Sequence, residues 1–281
     1  MSSLRRSAPS LRSMVTGTNM AHGFRAAVCF GVLAVAGCGG TGSSPPPRPP
    51  HINVSAGGIW RGTDQYGAGS AVLGFVAETG NFYFMEGTTY FTGDGEVYVG
   101  TITVDGTSAS GQTDAIKFPG YRYPDGATFA TGSFGGTVVE RVSFDGVAVV
   151  QTASARAGTT FTSTFTLKFD QRYKRASSLT TIAGIYGSGT LSLTINDSGV
   201  LFAQDATSGC MINGAIATID TQFNMYDATA TFSNCPGLVT GATLTGLATL
   251  DNTVSPEQLL IGLSDVISAA KVANWMVVER R

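Results

Sequence analysis

The sequence predicts an all-β protein made of two consecutive antiparallel meanders. Residues 161–169 and 191–195 alternate apolar and polar side chains, which is the period of two that half-buried strands show. Turn-forming pairs such as Asp105-Gly106 and Asp145-Gly146 separate the runs. The composition agrees, since the chain has 37 glycines and only 13% charged residues. We expect each meander to close into a small eight-stranded up-and-down β-barrel, because closure removes exposed sheet edges; two β-sandwiches are the alternative.

The second half of the chain shows the strand pattern most clearly. Alternation and turn spacing predict about eight strands there. They lie near 183–187, 189–195, 199–205, 210–219, 225–235, 243–250, 257–264 and 271–279. The first half has a similar count with vaguer borders. The stretch with the best helical spacing, 147–157, is predicted to be either a helix or a long loop.

Each half opens with a glycine and an aromatic residue, in Gly58-Ile59-Trp60 and in Gly184-Ile185-Tyr186. A short hairpin follows each opening, 71–77 with 82–86 in the first half and 191–195 with 200–204 in the second. The charged, turn-like residues 170–175 separate the halves. We therefore place one β-domain at 55–175 and a second at 176–281, each of ordinary domain size.

The two cysteines of the second half favour a disulfide. Cys210 and Cys235 lie equally far from the point between Gln222 and Phe223, so a hairpin that turns around 221–224 sets them face to face. Directly opposed residues in a non-hydrogen-bonded pair have Cα atoms about 4.5 Å apart, which a disulfide spans. The bridge would stabilise the fold by roughly 3 kcal/mol. Two buried free thiols are the alternative.

The N-terminal residues have the features of a secretory signal peptide. Arg25 precedes an apolar run, 26–36, which ends in small residues. The run closes on Val35-Ala36-Gly37-Cys38, which resembles the lipobox of bacterial lipoproteins. The resemblance implies removal of residues 1–37, acylation of the Cys38 thiol and of its new amino group with palmitate-type chains, and attachment to a membrane of a Gram-negative cell.

The residues after Cys38 refine the predicted location. Gly39 stands where an Asp would resemble an inner-membrane retention signal, so the resemblance implies transport to the outer membrane, on either its periplasmic or its exterior face. Residues 38–54 form a linker whose proline-rich part, 45–50, should be an extended spacer. Starting at Met20 would give a signal peptide of more typical length.

Charge argues against a nucleic-acid partner. Residues 1–37 hold four arginines and no acid, so 13 basic and 19 acidic residues remain, a formal charge of −6. Nucleic-acid binding needs clustered Lys and Arg that displace counterions. The expected partners are instead the membrane, through the acyl chains, and an envelope protein or a small apolar ligand.

The residue types needed for common catalytic sites are missing. His51, in the linker, is the only histidine after the predicted cleavage point, so a Ser-His-Asp or Cys-His arrangement is excluded from the folded part. Paired carboxylates exist at Asp94 with Glu96 and at Glu140 with Asp145, but they lie at turns beside glycine, where acids serve turn geometry. We predict no enzyme activity, no cofactor and no metal site, since two cysteines without histidine are too few zinc ligands.

Four residues are candidates for ligand or partner contact. Trp60, in a Gly-x-Trp on the first strand, resembles the lipocalin signature, in which the Trp closes a barrel around a small apolar ligand. An aromatic plug of the barrel is the alternative. Tyr121, Arg122 and Tyr123 lie in a Pro- and Gly-flanked loop, 119–125, and are residue types enriched at interface hot spots. Tyr rings folded over the barrel mouth are the alternative there.

Together these features predict an outer-membrane-anchored lipoprotein with a binding or structural role in the bacterial envelope. The layout is also similar to surface lipoproteins of the transferrin-binding and factor H-binding type, which carry β-barrel modules on a lipidated tail. A lipocalin-like carrier of a small apolar ligand is one alternative. An inhibitor of an envelope-directed hydrolase, acting through the 119–125 loop, is another.

Overall fold

The computed structural model describes residues 52–65, 70–87, 95–153, 158–235, 241–265 and 271–281. The predicted signal peptide, Cys38, most of the linker and Asp94 lie outside these ranges. None of the described helices has the length and apolar character needed to cross a membrane.

The first half of the described chain forms a closed barrel of eight antiparallel strands, each paired with its neighbours in sequence. The strands are β1 (Gly58–Asp64), β2 (Ala71–Val76), β3 (Asn81–Gly87), β4 (Glu96–Asp105), β5 (Ser108–Lys117), β6 (Phe129–Val139), β7 (Ser143–Thr152) and β8 (Thr160–Asp170). The barrel closes where β8 pairs with β1, for example at Gly62 and Leu167.

The second half forms another closed barrel with the same up-and-down order. A 3₁₀-helix (Gln171–Lys174) and a one-turn helix α1 (Leu179–Ile182) connect the two barrels. The strands are β9 (Gly184–Ser188), β10 (Leu191–Ile195), β11 (Val200–Asp205), β12 (Met211–Thr218), β13 (Tyr226–Ser233), β14 (Thr243–Asp251), β15 (Gln258–Asp265) and β16 (Val272–Arg280).

The predicted fold class is confirmed, with barrels and not sandwiches. The strands of the second half lie within one or two residues of their predicted positions, and both predicted hairpins pair as expected. The helix-or-loop prediction for 147–157 is wrong for residues 147–152, which belong to β7, and residues 154–157 lie outside the described ranges. Val150 points into the barrel while Val147 and Val149 point outward and are 38% and 41% exposed, so apolar residues on both faces hide the period of two.

The interior of the first barrel is filled with aromatic rings. The rings that are at most 2% exposed include Trp60, Phe82, Phe84, Phe134, Phe144 and Phe165. Neighbouring centroids lie 5.1 Å apart for Phe82 and Phe134 and 5.6 Å apart for Phe134 and Phe144, within the range of favourable aromatic contacts. An eight-stranded barrel is just wide enough for side chains to fill. The second barrel is filled mainly by aliphatic residues.

A third apolar core lies between the barrels and joins their outer faces. It combines Leu73, Phe75 and Met85 of the first barrel with Leu247 and Leu260 of the second, among others. Strands β2, β3 and β15 are therefore buried on both faces, which explains their nearly continuous apolar sequences. The two barrels share this packing within one compact unit, residues 49–281, so they are not separate bodies.

Two side chains cross the joint between the barrels. Trp275 of β16 stacks on Phe75 of β2 with centroids 5.1 Å apart. Tyr83 of β3 shares a hydrogen bond with Ser264 of β15 at 2.5 Å, and its hydroxyl also donates to the Thr245 carbonyl. Burial raises the pKa of Tyr83 to about 12, so its hydroxyl stays protonated and available as a donor.

The predicted disulfide between Cys210 and Cys235 is present, with Cα atoms 4.3 Å apart. The two residues are not directly opposed, however. The β12–β13 ladder pairs Met211 with Ser233, which puts Asn234 opposite Cys210. Asn234 has a positive φ of 55°, and this left-handed residue turns the chain so that Cys235 reaches Cys210.

Candidate functional site

The structure separates the four predicted contact residues into two exposed and two buried ones. Tyr121 is 41% exposed and Arg122 is exposed as well, both in the loop between β5 and β6. Tyr123, in the same loop, is only 4% exposed, and Trp60 is fully buried. The surface prediction therefore agrees with the positions of Tyr121 and Arg122 alone.

Trp60 plugs the interior of the first barrel. Its Nε1 donates to the Ala56 carbonyl at 3.0 Å, and its ring meets the edges of Phe144 and Phe169 at 5.6 and 5.5 Å. This is the arrangement of the aromatic-plug alternative. The end of β1 at Asp64 belongs to the end of the barrel where Tyr123 is buried. Trp60 lies four residues before Asp64, about 13 Å along the strand at 3.3 Å per residue, and is therefore far from that end.

The loop that presents Tyr121 and Arg122 consists of two consecutive turns; it is called the display loop below and comprises residues 118–127. Tyr121 N–H donates to the Phe118 carbonyl at 3.0 Å, and Gly126 N–H donates to the Tyr123 carbonyl at 2.8 Å. Gly126 has a φ of +87°, a conformation that side-chain-bearing residues rarely adopt, so the second turn depends on glycine.

Polar contacts close the display loop on itself. Arg122 Nη1 donates to the Gly126 carbonyl at 3.0 Å, and Asp125 Oδ1 accepts from the Ala127 N–H at 3.1 Å. Asp125 also accepts a hydrogen bond from the hydroxyl of Thr152, at the end of β7, and this bond lowers the pKa of Asp125. The loop is therefore fastened at both of its turns.

Tyr123 anchors the display loop in the end of the first barrel. Its hydroxyl donates to Glu96 Oε2 at 2.6 Å, and its ring packs on Phe161 with centroids 4.8 Å apart. Lys117 Nζ lies 4.9 Å from the centroid of the same ring and 3.0 Å from Glu96 Oε2. Burial, together with the charge of Glu96, raises the pKa of Tyr123, which keeps its hydroxyl a donor at any physiological pH.

Glu96 is the centre of the polar contacts beneath the loop. Its other oxygen, Oε1, accepts from the hydroxyl of Tyr98, which in turn shares a hydrogen bond with Ser163 at 2.6 Å. Glu96 is 6% exposed and stands opposite Glu86 on β3 and Lys117 on β5. With two hydroxyl donors and one ammonium, an ionised Glu96 has the partners that a buried charge requires.

Two further carboxyl groups are buried beside Glu96, those of Asp64 and Glu86. Asp64 Oδ1 accepts from the Thr164 N–H at 2.9 Å. Asp64 Oδ2 and Glu86 Oε2 lack a donor among the described residues when both groups are acceptors, whereas a protonated Glu86 donates a hydrogen bond to Asp64. Burial, and then the charges of Asp64 and Glu96, raise the pKa of Glu86 to about 9, so Glu86 is protonated at neutral pH. Protonation of Glu86 lowers the charge that is buried at this end of the barrel.

The contacts of Glu96 at the acidic end of the barrel support the display loop. No group of three ligating side chains in the described ranges is placed to hold a metal ion. The Asp94–Glu96 pair lies partly outside those ranges. In the other predicted pair, Glu140 forms an exposed ion pair with Arg141 at 3.8 Å, and Asp145 is exposed on β7. Glu96 is instead held beneath the display loop by its three donors.

The sequence predictions did not include Asp64, Glu86 and Tyr98 as members of this cluster. One signal was present, since Glu86 ends the apolar run 82–85 of a strand that is buried on both faces. An acid within such a strand must be neutral or paired. Its partners lie on other strands of the barrel, and that placement follows only from the strand register.

Comparison of the chain with protein families, with curated proteins and with solved structures finds no match. Its function is therefore inferred from its own residues. The most informative of these are Tyr121 and Arg122, which are exposed on a loop fastened from below by Tyr123 and Glu96.

Proposed function

We propose that this chain is an outer-membrane lipoprotein, anchored by acyl chains on Cys38, that binds a partner protein of the bacterial envelope through the display loop. The observation that carries the proposal is the hydrogen bond from the buried Tyr123 to Glu96, because it holds Tyr121 and Arg122 in place at the surface. A preorganised loop loses little conformational entropy on binding. Tyr and Arg are the side chains that most often dominate interface energies.

The sequence supports the anchoring part of the proposal. The lipobox-like 35–38, Gly39 and the prolines at 45–50 together are typical of an exported lipoprotein with a spacer. More than one acyl chain gives stable membrane attachment, since each buried CH₂ contributes about 0.8 kcal/mol. The joined barrels would then be held off the membrane as one body.

The packing of the first barrel favours partner binding over the carrier alternative. A carrier of a small apolar ligand needs an internal cavity of roughly 300 Å³ or more. Aromatic rings fill the interior around Trp60, which is fully buried. An inhibitor of a hydrolase would use the same display loop as a binding protein, so the identity of the partner separates these two. For Glu96 we propose the role of loop support and no catalytic role.

A photo-crosslinking amino acid at position 121 tests the proposal in intact cells. We expect a discrete adduct with one envelope protein, and loss of that adduct on Arg122→Ala. The control places the same crosslinker at Phe202, which is 45% exposed on the second barrel and outside the loop. Equal adduct patterns from positions 121 and 202 would contradict partner binding by the loop. Membrane fractionation of Cys38→Ala that matches the unchanged chain would contradict the anchor.

A further inference from the structure

The second barrel has a strand edge that is paired over only part of its length. On one side β16 pairs with β15 from the pair Val272 and Asp265 to the pair Glu279 and Gln258. On the other side β9 meets it only at Glu279–Gly187 and Arg280–Tyr186. Strand β9 then ends at Ser188 and the chain turns into β10. The part of β16 before Glu279 therefore has no partner strand on this side among the described residues.

The hydrogen-bond pattern shows which backbone groups face that open side. Arg281 N–H donates to the Ile185 carbonyl of β9, whereas Arg280 N–H donates to the Glu257 carbonyl on the β15 side. Backbone groups alternate in direction along a strand. The N–H and C=O groups of Trp275 and Val277 therefore face the open side, and no hydrogen bond from them is found within the described ranges.

A groove of about 850 Å³ runs along this edge. Its lining includes Trp275 and Val277 of β16, the β9–β10 hairpin at Ser188, Gly189 and Leu191, and the charged residues Glu279 and Arg281. The indole Nε1 of Trp275 is shielded from solvent and has no hydrogen-bond partner among the described residues. The donors and acceptors that face the groove are therefore the backbone groups of Trp275 and Val277, beside apolar side chains.

The part of β16 before Glu279 lacks the residues that usually protect a strand edge. Residues 272–278 contain no charged residue and no proline, the usual means by which proteins prevent pairing at an exposed strand edge. An unpaired edge of this composition is suited to the addition of an extended chain, whose main chain supplies affinity and whose alternate side chains supply specificity.

The charge at the end of the groove indicates the chemistry of its occupant. Arg280 has several partners, because its Nε lies 2.9 Å from Glu257 Oε2 and its Nη2 donates to the Thr181 carbonyl at 2.6 Å and to the Tyr186 hydroxyl at 2.8 Å. Among the described residues, the side chain of Arg281 makes only long hydrogen bonds, from Nη2 to the carbonyls of Gly189 and Leu191 at 3.4 and 3.5 Å. A guanidinium with such weak partners is suited to a carboxylate.

We propose that the groove between β16 and the β9–β10 turn binds an extended peptide of a partner protein, which adds a strand along Trp275–Val277 and places a carboxylate at Arg281. This site is separate from the display loop and does not depend on it.

Selection of random heptapeptides on the full chain in detergent tests this proposal. We expect enriched sequences with alternating apolar residues and an Asp or Glu at a constant position. Arg281→Glu should weaken their binding at least about ten-fold by placing like charges together. The matched control, Arg122→Glu in the display loop, should leave the binding unchanged. Failure to enrich such peptides, or equal binding to Arg281→Glu, would overturn the proposal.

Amide hydrogen exchange gives a second readout that needs no peptide of known sequence. In the free chain we expect the Trp275 and Val277 amides to exchange fast, while the Met276 and Val278 amides, which face β15, are protected. An enriched heptapeptide should protect the first two selectively. Protection of Trp275 and Val277 in the free chain equal to that of Met276 would show that the edge is already covered, and the proposal would be wrong.

Discussion

Tyr123 donates its hydroxyl hydrogen to Glu96 at 2.6 Å, and this contact ties an exposed loop to a carboxylate inside the end of a barrel. Both side chains are buried, whereas Tyr121 and Arg122, directly before Tyr123 in the loop, are exposed. The exposed neighbours of Tyr123 are for that reason held in place although they belong to a loop. This contact and the buried acid beside it can be tested by mutation, as can the core between the barrels and the disulfide of the second barrel.

Replacing Tyr123 by Phe should loosen the display loop and destabilise the chain by about 1.5–3 kcal/mol, because a hydrogen bond to a charged group is lost while the ring is kept. Urea unfolding measures the stability, and limited proteolysis at 119–126 measures the loosening. Tyr121→Phe is the matched control and should change neither, since Tyr121 is exposed. Equal effects of the two changes would contradict the anchoring role.

Replacing Glu86 by Gln should reduce the dependence of stability on pH. The pKa of Glu86 in the folded state is about 9, above its ordinary value of 4.5. The contribution of Glu86 to the free energy of unfolding is therefore complete below about pH 4.5 and is lost as the pH rises toward 9. The unchanged chain should therefore lose stability between pH 5 and 9, and Glu86→Gln should lose less.

Urea unfolding at several pH values checks this prediction. The control is Glu140→Gln, because Glu140 is exposed in its ion pair with Arg141. In that variant the free energy of unfolding should change with pH as steeply as in the unchanged chain. If Glu86→Gln leaves the pH dependence of the unfolding free energy unaltered, Glu86 is ionised in the folded state and the prediction is wrong.

Replacing Phe75 by Ala should destabilise both barrels together. Phe75 is fully buried between the barrels against Trp275, and truncation of a buried Phe costs about 3–5 kcal/mol. We expect one cooperative transition, at lower urea, in circular dichroism and in Trp fluorescence alike. Phe202→Ala, at a 45% exposed site, should shift it by less than about 0.5 kcal/mol. Separate transitions for the two barrels in the unchanged chain would contradict the shared core.

Removing the disulfide by Cys210→Ser with Cys235→Ser should cost about 3 kcal/mol, since the bridge closes a loop with a sequence separation of 25 residues. Thermal unfolding with and without a reducing agent measures this. The reducing agent should lower the Tm of the unchanged chain and leave the Tm of the double variant the same. A Tm of the unchanged chain that does not respond to reduction would contradict the stabilising role.

The candidate site could be predicted from the sequence only in part. Residue type and flanking Pro and Gly placed Tyr121 and Arg122 on an exposed loop, and the structure agrees. The same reasoning grouped Tyr123 with them, although its ring lies under the loop. The difference depends on Glu96, which is 27 residues away in sequence, and no local pattern reports that contact. Trp60 was ambiguous for the same reason, since plug and ligand contact share one sequence signature.

The sequence by itself determined the all-β class, the positions of the second-half strands, both opening hairpins and the cysteine pairing. Alternation, turn residues and spacing are local properties, and local pairing of neighbouring strands follows from them. Only the tertiary structure decided that the outer faces of β2, β3 and β15 are buried between the barrels and that three acids meet at one barrel end. It also decided that part of β16 has no partner strand on one side among the described residues. Each of these depends on the register at which distant strands close a barrel, which sets which side chains and backbone groups face one another.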